Sequence, residues 1–186
     1  MKYNIDTIKE IVSRNSETPI IYFWVHTSNE KKMTAACLSQ WYDCYFEVDG
    51  LCYHTTEQYM MASKARLFED DEVLSEIMAA YSPHYYKKLG RKVRGFDPDL
   101  WDAKKRDIVV EGNKAKFSQN PELLDFLLST GDAVLVEASP YDKIWGIGLD
   151  RDTAMKGSVN QWKGENLLGC ALMEVRDWLR EKVDNL

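Results

Sequence analysis

An acid and an amine seven residues apart, Glu57 and Lys64, are the first pair in this chain able to share chemistry. They lie in HTTEQYMMASKA. At about 100° per residue, seven helical positions return to nearly the same face, two turns along. Met60 and Met61 fall between them, so the shared stripe is partly apolar. A carboxyl beside apolar groups tends to a raised pKa, which suits a general acid or base. A lysine there tends the other way, and its free amine can attack an aldehyde-like carbon. A plainer reading stands beside this one: the helix dipole favours Glu in a first turn and Lys in a last turn with no chemistry at all.

A second group is ASPYDKIWGIGLD, which follows the apolar run AVLVEAS. Ligand-binding loops commonly emerge at the carboxyl ends of strands. Here Asp142 could orient hydroxyls or a water, and Trp145 offers a flat face for a base or ribose. Gly146 and Gly148 would let backbone approach a ligand closely. The same residues also read as a Pro-Tyr-Asp turn with a packed Trp. G-x-G without a third glycine is too little for a dinucleotide fold. Trp101 stands near the start of a helix, where phosphate or developing negative charge can be received; it equally fits a hydrophobic anchor. Asn166, in GENLLG, sits at another helix start, where capping is explanation enough.

The elements that must position these residues are legible in outline. Ile5, Ile8, Ile11 and Val12 recur at helical spacing behind Asp6, a candidate N-cap. PIIYFWV and AVLVEAS read as buried strands. CYFEVDGLCYH reads as a hairpin, with Asp49-Gly50 at the turn. Thr55 and Gln58 form a capping-box pattern at the start of the Glu57 helix. Ser82-Pro83, Asp97-Pro98 and Asn120-Pro121 each put a cap before a proline, while Gly90 and Gly131 sit at the corresponding stops. NLLGCALMEVRDWLREKV is a long amphipathic helix. The expected fold is α+β, a single compact domain with a small β-sheet packed among five to seven α-helices.

Composition removes several function classes. With 45% hydrophobic and 29% charged residues, the chain is of globular type. No stretch approaches the ~20 apolar residues of a membrane span, and the N-terminal residues lack a signal-type apolar core. A cytoplasmic protein without membrane association is therefore expected. Cys37, Cys44, Cys52 and Cys170 have no C-x-x-C spacing, and His26, His54 and His84 are scattered. That pattern speaks for reduced, packing thiols and no metal site. A net charge of −6 argues against an extended grip on a nucleic-acid backbone. Lys87, Lys88, Arg91, Lys92 and Arg94 form a local basic exception, readable as a solvated turn or as a site for anionic groups. No nucleophile elbow, Walker loop or H-E-x-x-H motif occurs.

Four stretches taken in order carry a resemblance: LSQWYDCYFEVDGLCYHTTEQYMMASKA, SPHYYKKLGRKVRGFDPDLWDAKKRDIV, KFSQNPELLDFLLSTGDAVLVEASPYDKIWGIGLD and GENLLGCALMEVRDWLR. Together, from about Leu38 to Arg180, they resemble the NADAR (YbiA-like) family. T-x-E-x-Y…K and D-x-x-W-G-x-G are the most specific pieces. The resemblance implies an N-glycosidase needing no cofactor and no metal. One branch of the family cleaves phosphoribosylated riboflavin-pathway intermediates; another removes ADP-ribose from guanine in nucleic acid, reversing a toxin's modification.

Position by position, the resemblance implies active-site roles for Glu57, Lys64, Trp101, Asp142 and Trp145. Glu57 would protonate the leaving base or activate water, and Lys64 would capture C1 of an opened ribose. Asp142 would orient ribose hydroxyls between stacking Trp101 and Trp145. Where the family has an F-S-N-F-Y-P-like stretch this chain has LSQWYD, so Ser39 and Trp41 are expected to reshape a ligand pocket that also includes Gly146, Gly148 and Asn166. Residues 1–35 are expected to be a branch-specific helix and strand ahead of a domain spanning 36–186. The leading expectation is removal of ADP-ribose from modified guanine, as a nucleotide or in DNA or RNA, with room for a companion ADP-ribosyltransferase toxin. The alternatives are a riboflavin-intermediate glycosidase and a non-catalytic ADP-ribose-binding module.

Overall fold

A computed structural model describes residues 2–27 and 32–183. Its regular elements, in chain order, are α1 (Ile5–Arg14), β1 (Ile20–Phe23), β2 (Phe46–Val48), β3 (Leu51–Tyr53), α2 (Thr56–Leu67), α3 (Asp71–Ala79) and α4 (Pro83–Gly90). They continue with α5 (Pro98–Gln119), α6 (Pro121–Ser129), β4 (Val134–Glu137), α7 (Arg151–Lys156) and α8 (Leu167–Val183). The fold is α+β, with eight α-helices among the described residues rather than five to seven. None of them is long and apolar enough to cross a membrane. The single small sheet of the expectation is instead two two-stranded sheets, and the chain divides into two compact units, Met1–Ser39 with Glu122–Leu186, and Gln40–Pro121.

In the first unit β1 and β4 pair in parallel, Ile20 beside Val134 through Phe23 beside Glu137. Val134, Leu135 and Val136 are fully covered, because α8 lies along β4 with Leu168, Ala171, Leu172 and Val175 buried. Arg176 is also buried and donates to Thr130 Oγ1 (2.8 Å) and the Ala133 carbonyl (2.9 Å), tying α8 to the approach to β4. The cap of α1 is Asn4, not Asp6: the Asn4 side chain accepts from Asp6 and Thr7 backbone N–H groups, which places Asp6 within the first turn. Tyr3 Oη donates to Asp177 at 2.8 Å and so fastens the start of α1 to α8.

The second unit is built on α2. β2 and β3 form the expected hairpin, with Asp49 (φ 53°) and Gly50 (φ 75°) at its turn. Thr55 caps α2, but the Gln58 side chain accepts from His54 N–H (2.8 Å), one residue ahead of the box position. Ser82 makes no side-chain cap bond, whereas Asp97 accepts from Asp99 and Leu100. Asn120 serves the preceding helix: its amide donates to the Lys116 carbonyl (2.8 Å) at the end of α5.

Asp70 clamps α3 to the segment after α4. Its carboxylate accepts from Val73 N–H at the start of α3, and from the Arg94 N–H (2.8 Å) and guanidinium. The Arg94 guanidinium holds the Asp70 carboxyl well below the usual carboxylate range. A depressed carboxylate pKa contributes stability that is present above the unfolded value of about 3.9 and lost as pH falls through the folded value. Asp70→Asn is therefore expected to lower the thermal midpoint at pH 7, with a gap to wild type that narrows below about pH 4. A gap independent of pH would remove the clamp as a source of acid sensitivity.

Candidate active site

Helix α2 carries both members of the acid–amine pair. Glu57 lies in its first turn, only 5% exposed. Its N–H donates to the Gln40 carbonyl at 2.9 Å, and Thr56 Oγ1 donates to the same oxygen at 3.2 Å. The start of α2 is thus fixed by Gln40, whose side chain accepts from Asn113 Nδ2 of α5 at 3.1 Å. Gln40 and Asn113 are buried, and single-letter patterns gave no sign of this support, since it joins residues 73 positions apart.

Lys64 lies in the last turn of α2, about 10 Å along the axis from Glu57 at 1.5 Å per residue. Its Nζ donates to the Gly90 carbonyl at 2.8 Å. It stands 4.1 Å from the Phe96 ring centroid and 5.5 Å from that of Trp101. Burial lowers its pKa below the ordinary lysine value, enlarging the fraction that is free amine at neutral pH. The facing rings attract the protonated form, but desolvation prevails. Phe96, absent from the sequence-based set, is thereby part of the lysine's environment; GF before a capping Asp gave no hint of it.

Phe96→Ala should hydrate Nζ and return its pKa toward the ordinary value. For a reaction that uses the free amine, the rising limb of the pH–rate profile then moves to higher pH. An unmoved limb would mean that Phe96 does not set the lysine's ionisation.

The other unit carries the Asp142 loop. Asp142 Oδ1 accepts from Ile144 N–H (2.9 Å) and Trp145 N–H (2.8 Å), while the Asp142 carbonyl accepts from Gly148 N–H (3.0 Å). Ser39 is buried at the end of a short 3-10 turn, Ala35–Leu38. Gly146 approaches its own chain: a Cβ there would lie 2.8 Å from the Glu137 carbonyl oxygen. Gly148 has φ +66°, a conformation that favours glycine. The glycines are accounted for by loop closure. Trp145 is half-buried.

Asn166 (φ 53°) is fully buried beneath this loop's strand. Its Oδ1 accepts from Glu137 N–H (3.0 Å) and its Nδ2 donates to the Leu135 carbonyl (2.9 Å). Its amide therefore braces β4. Among the sequence-based candidates, the geometry brings together Lys64 and Trp101 on the second unit, with Glu57 two turns away on the same helix; Trp41, half-buried, belongs to that unit as well.

Comparison with known proteins bears on this arrangement. The family model described as the NADAR domain matches residues 22–180. The chain is 46% identical over 161 residues to N-glycosidase R617 of Acanthamoeba polyphaga mimivirus, covering 84% of this chain and 95% of that protein. It is 35% identical over 136 residues to the chloroplastic riboflavin biosynthesis protein PYRR of Zea mays, covering 69% of this chain and 20% of that protein. The solution NMR structure of Escherichia coli YbiA superposes with a TM-score of 0.72 at 29% identity, covering 89% of this chain and 87% of the other.

Proposed function

The chain belongs to the NADAR domain family, and on that premise we propose that it is an N-glycosidase that removes ADP-ribose from modified guanine in nucleic acid. The observation that carries the reading is Lys64: an amine with a pKa lowered by burial, close to the rings of both Phe96 and Trp101, on the helix that also bears buried Glu57. The 46% identity to a protein named an N-glycosidase supports the same chemistry.

Cleavage of a C1–N bond develops oxocarbenium character on the ribose and negative charge on the departing base. Glu57 acts as the general acid and gives a proton to the leaving nitrogen. The Lys64 amine forms a bond to C1 as the C1–N pair leaves with the base, the ribose ring opens, and a protonated imine remains. Water then adds at C1, the C1–Nζ bond breaks, and the lysine amine is restored with free ADP-ribose. The ring of Trp101 supplies a face against which base or sugar packs.

A second reading is favoured by one observation, the 35% identity to a maize protein named for riboflavin biosynthesis. It uses the same bond cleavage on a phosphoribosylated pyrimidine, releasing ribose 5-phosphate. Parallel measurement of kcat/KM on an ADP-ribosyl-guanine oligonucleotide and on a phosphoribosylaminopyrimidine separates the two. The proposal expects a preference of at least about 100-fold for the first, equivalent to about 2.7 kcal/mol of transition-state binding. A preference in the opposite direction overturns it.

A further inference from the structure

Between Glu76 and Asp97 the sequence has no acidic residue and five basic ones, in a chain of net charge −6. Arg94 is spent in pairing with Asp70 and Glu72. Lys87, Lys88, Arg91 and Lys92 are exposed, and among the described residues no carboxylate pairs with them. Aromatic rings share this stretch. Tyr81 is 82% exposed and Tyr85 48%. Tyr81 meets the His54 ring edge-on at 5.8 Å, and His54 in turn meets the exposed Tyr45 at 4.7 Å. Lys88 Nζ lies 5.7 Å from the Tyr85 ring centroid. Tyr81, Tyr85 and Tyr45 thus keep much of their ring surface open to solvent, in or packed against a stretch that carries four cations with no carboxylate partner among the described residues.

The same stretch ends at the reactive lysine. The Gly90 carbonyl, at the end of α4, accepts from Lys64 Nζ, and Phe96 covers that nitrogen. We propose that the basic and aromatic face of residues 81–96, with Tyr45 and His54, is a docking surface for a single nucleic-acid strand that leads toward Lys64. The identity of the base delivered rests on the N-glycosidase reading above; the surface itself does not. Cations that track a backbone, interleaved with rings on which bases stack, are the recurring means of holding single strands. A duplex hides its base faces and asks for a broader basic footprint than this acidic chain offers. An acidic peptide would use the cations and leave the rings without a partner.

The test is fluorescence anisotropy of a labelled 15-nucleotide thymidine DNA at 50 and 200 mM salt. It compares wild type, Lys88→Glu/Arg91→Glu and Tyr81→Ala/Tyr85→Ala, with circular dichroism confirming each fold. Wild type is expected to bind, more weakly at the higher salt. Each double variant is expected to weaken binding at least about tenfold, and the charge reversal alone to flatten the salt dependence. No binding by wild type at 50 mM salt overturns the proposal, as does binding unaffected by both variants. A labelled 15-residue polyglutamate bound as tightly, without dependence on the tyrosines, would overturn it in favour of an acidic protein partner. The two readings fail separately. A protein that binds the strand but releases no ADP-ribose from ADP-ribosyl-guanosine loses only the catalytic reading. One that cleaves the nucleoside but does not bind the strand loses only the surface.

Discussion

Lys64→Ala is expected to lower kcat/KM for ADP-ribose release at least about 1,000-fold, some 4 kcal/mol of transition-state stabilisation. The lysine is half-buried and contributes one hydrogen bond, to the Gly90 carbonyl, at the contact between α2 and α4. The fold should therefore survive the substitution. Lys64→Arg sharpens the experiment, because a guanidinium keeps the charge and can still donate to that carbonyl but does not act as a nucleophile. Activity in the Arg variant within about tenfold of wild type would show that Lys64 acts as a charge and would sink the covalent route. Borohydride added during turnover reads the same step directly. The proposal expects a stable adduct on wild type, at Lys64, and none on either variant.

Asn166→Ala should cost about 3 kcal/mol in a urea unfolding titration, because it strands the Glu137 N–H and the Leu135 carbonyl in a buried setting. Gly169 sits so close that a Cβ there would lie 2.1 Å from the Leu135 carbonyl oxygen and 2.5 Å from Asn166 Nδ2. Asn also tolerates φ of 53° better than Ala. A loss under about 1 kcal/mol, accompanied by a raised KM, would instead make Asn166 a ligand contact. The expected result is the opposite: a large loss of stability, and in the protein that remains folded, a KM close to that of wild type.

What the sequence made legible was local chemistry. Asp49-Gly50 specifies its hairpin through two positive φ angles, and Thr55 and Asp97 cap their helices as their residue types require. Short helices escaped. α3 buries only Val73 and Ile77, and α7 only Ala154, so neither shows a sustained apolar period. Long-range pairing escaped as well: β1 finds β4 from 114 positions away in register, and nothing within either strand encodes its partner. The same limit applies at the site. Glu57 and Lys64 stood out because helical spacing is a local property. Gln40, Asn113 and Phe96 did not, because each acts through a fold-dependent contact. Asn166 shows the converse case, where a residue that reads as a helix cap is recruited by a strand.

One measurement tests the central claim most directly: intact-mass analysis of an ADP-ribosyl-guanine oligonucleotide after incubation with the wild-type protein. The account predicts loss of the whole ADP-ribosyl group, an oligonucleotide restored to its unmodified mass, and an equal amount of free ADP-ribose. A folded protein that leaves the oligonucleotide unchanged contradicts the account. So does a product that keeps the ribose on guanine, since the bond cut would then lie in the diphosphate and not at C1.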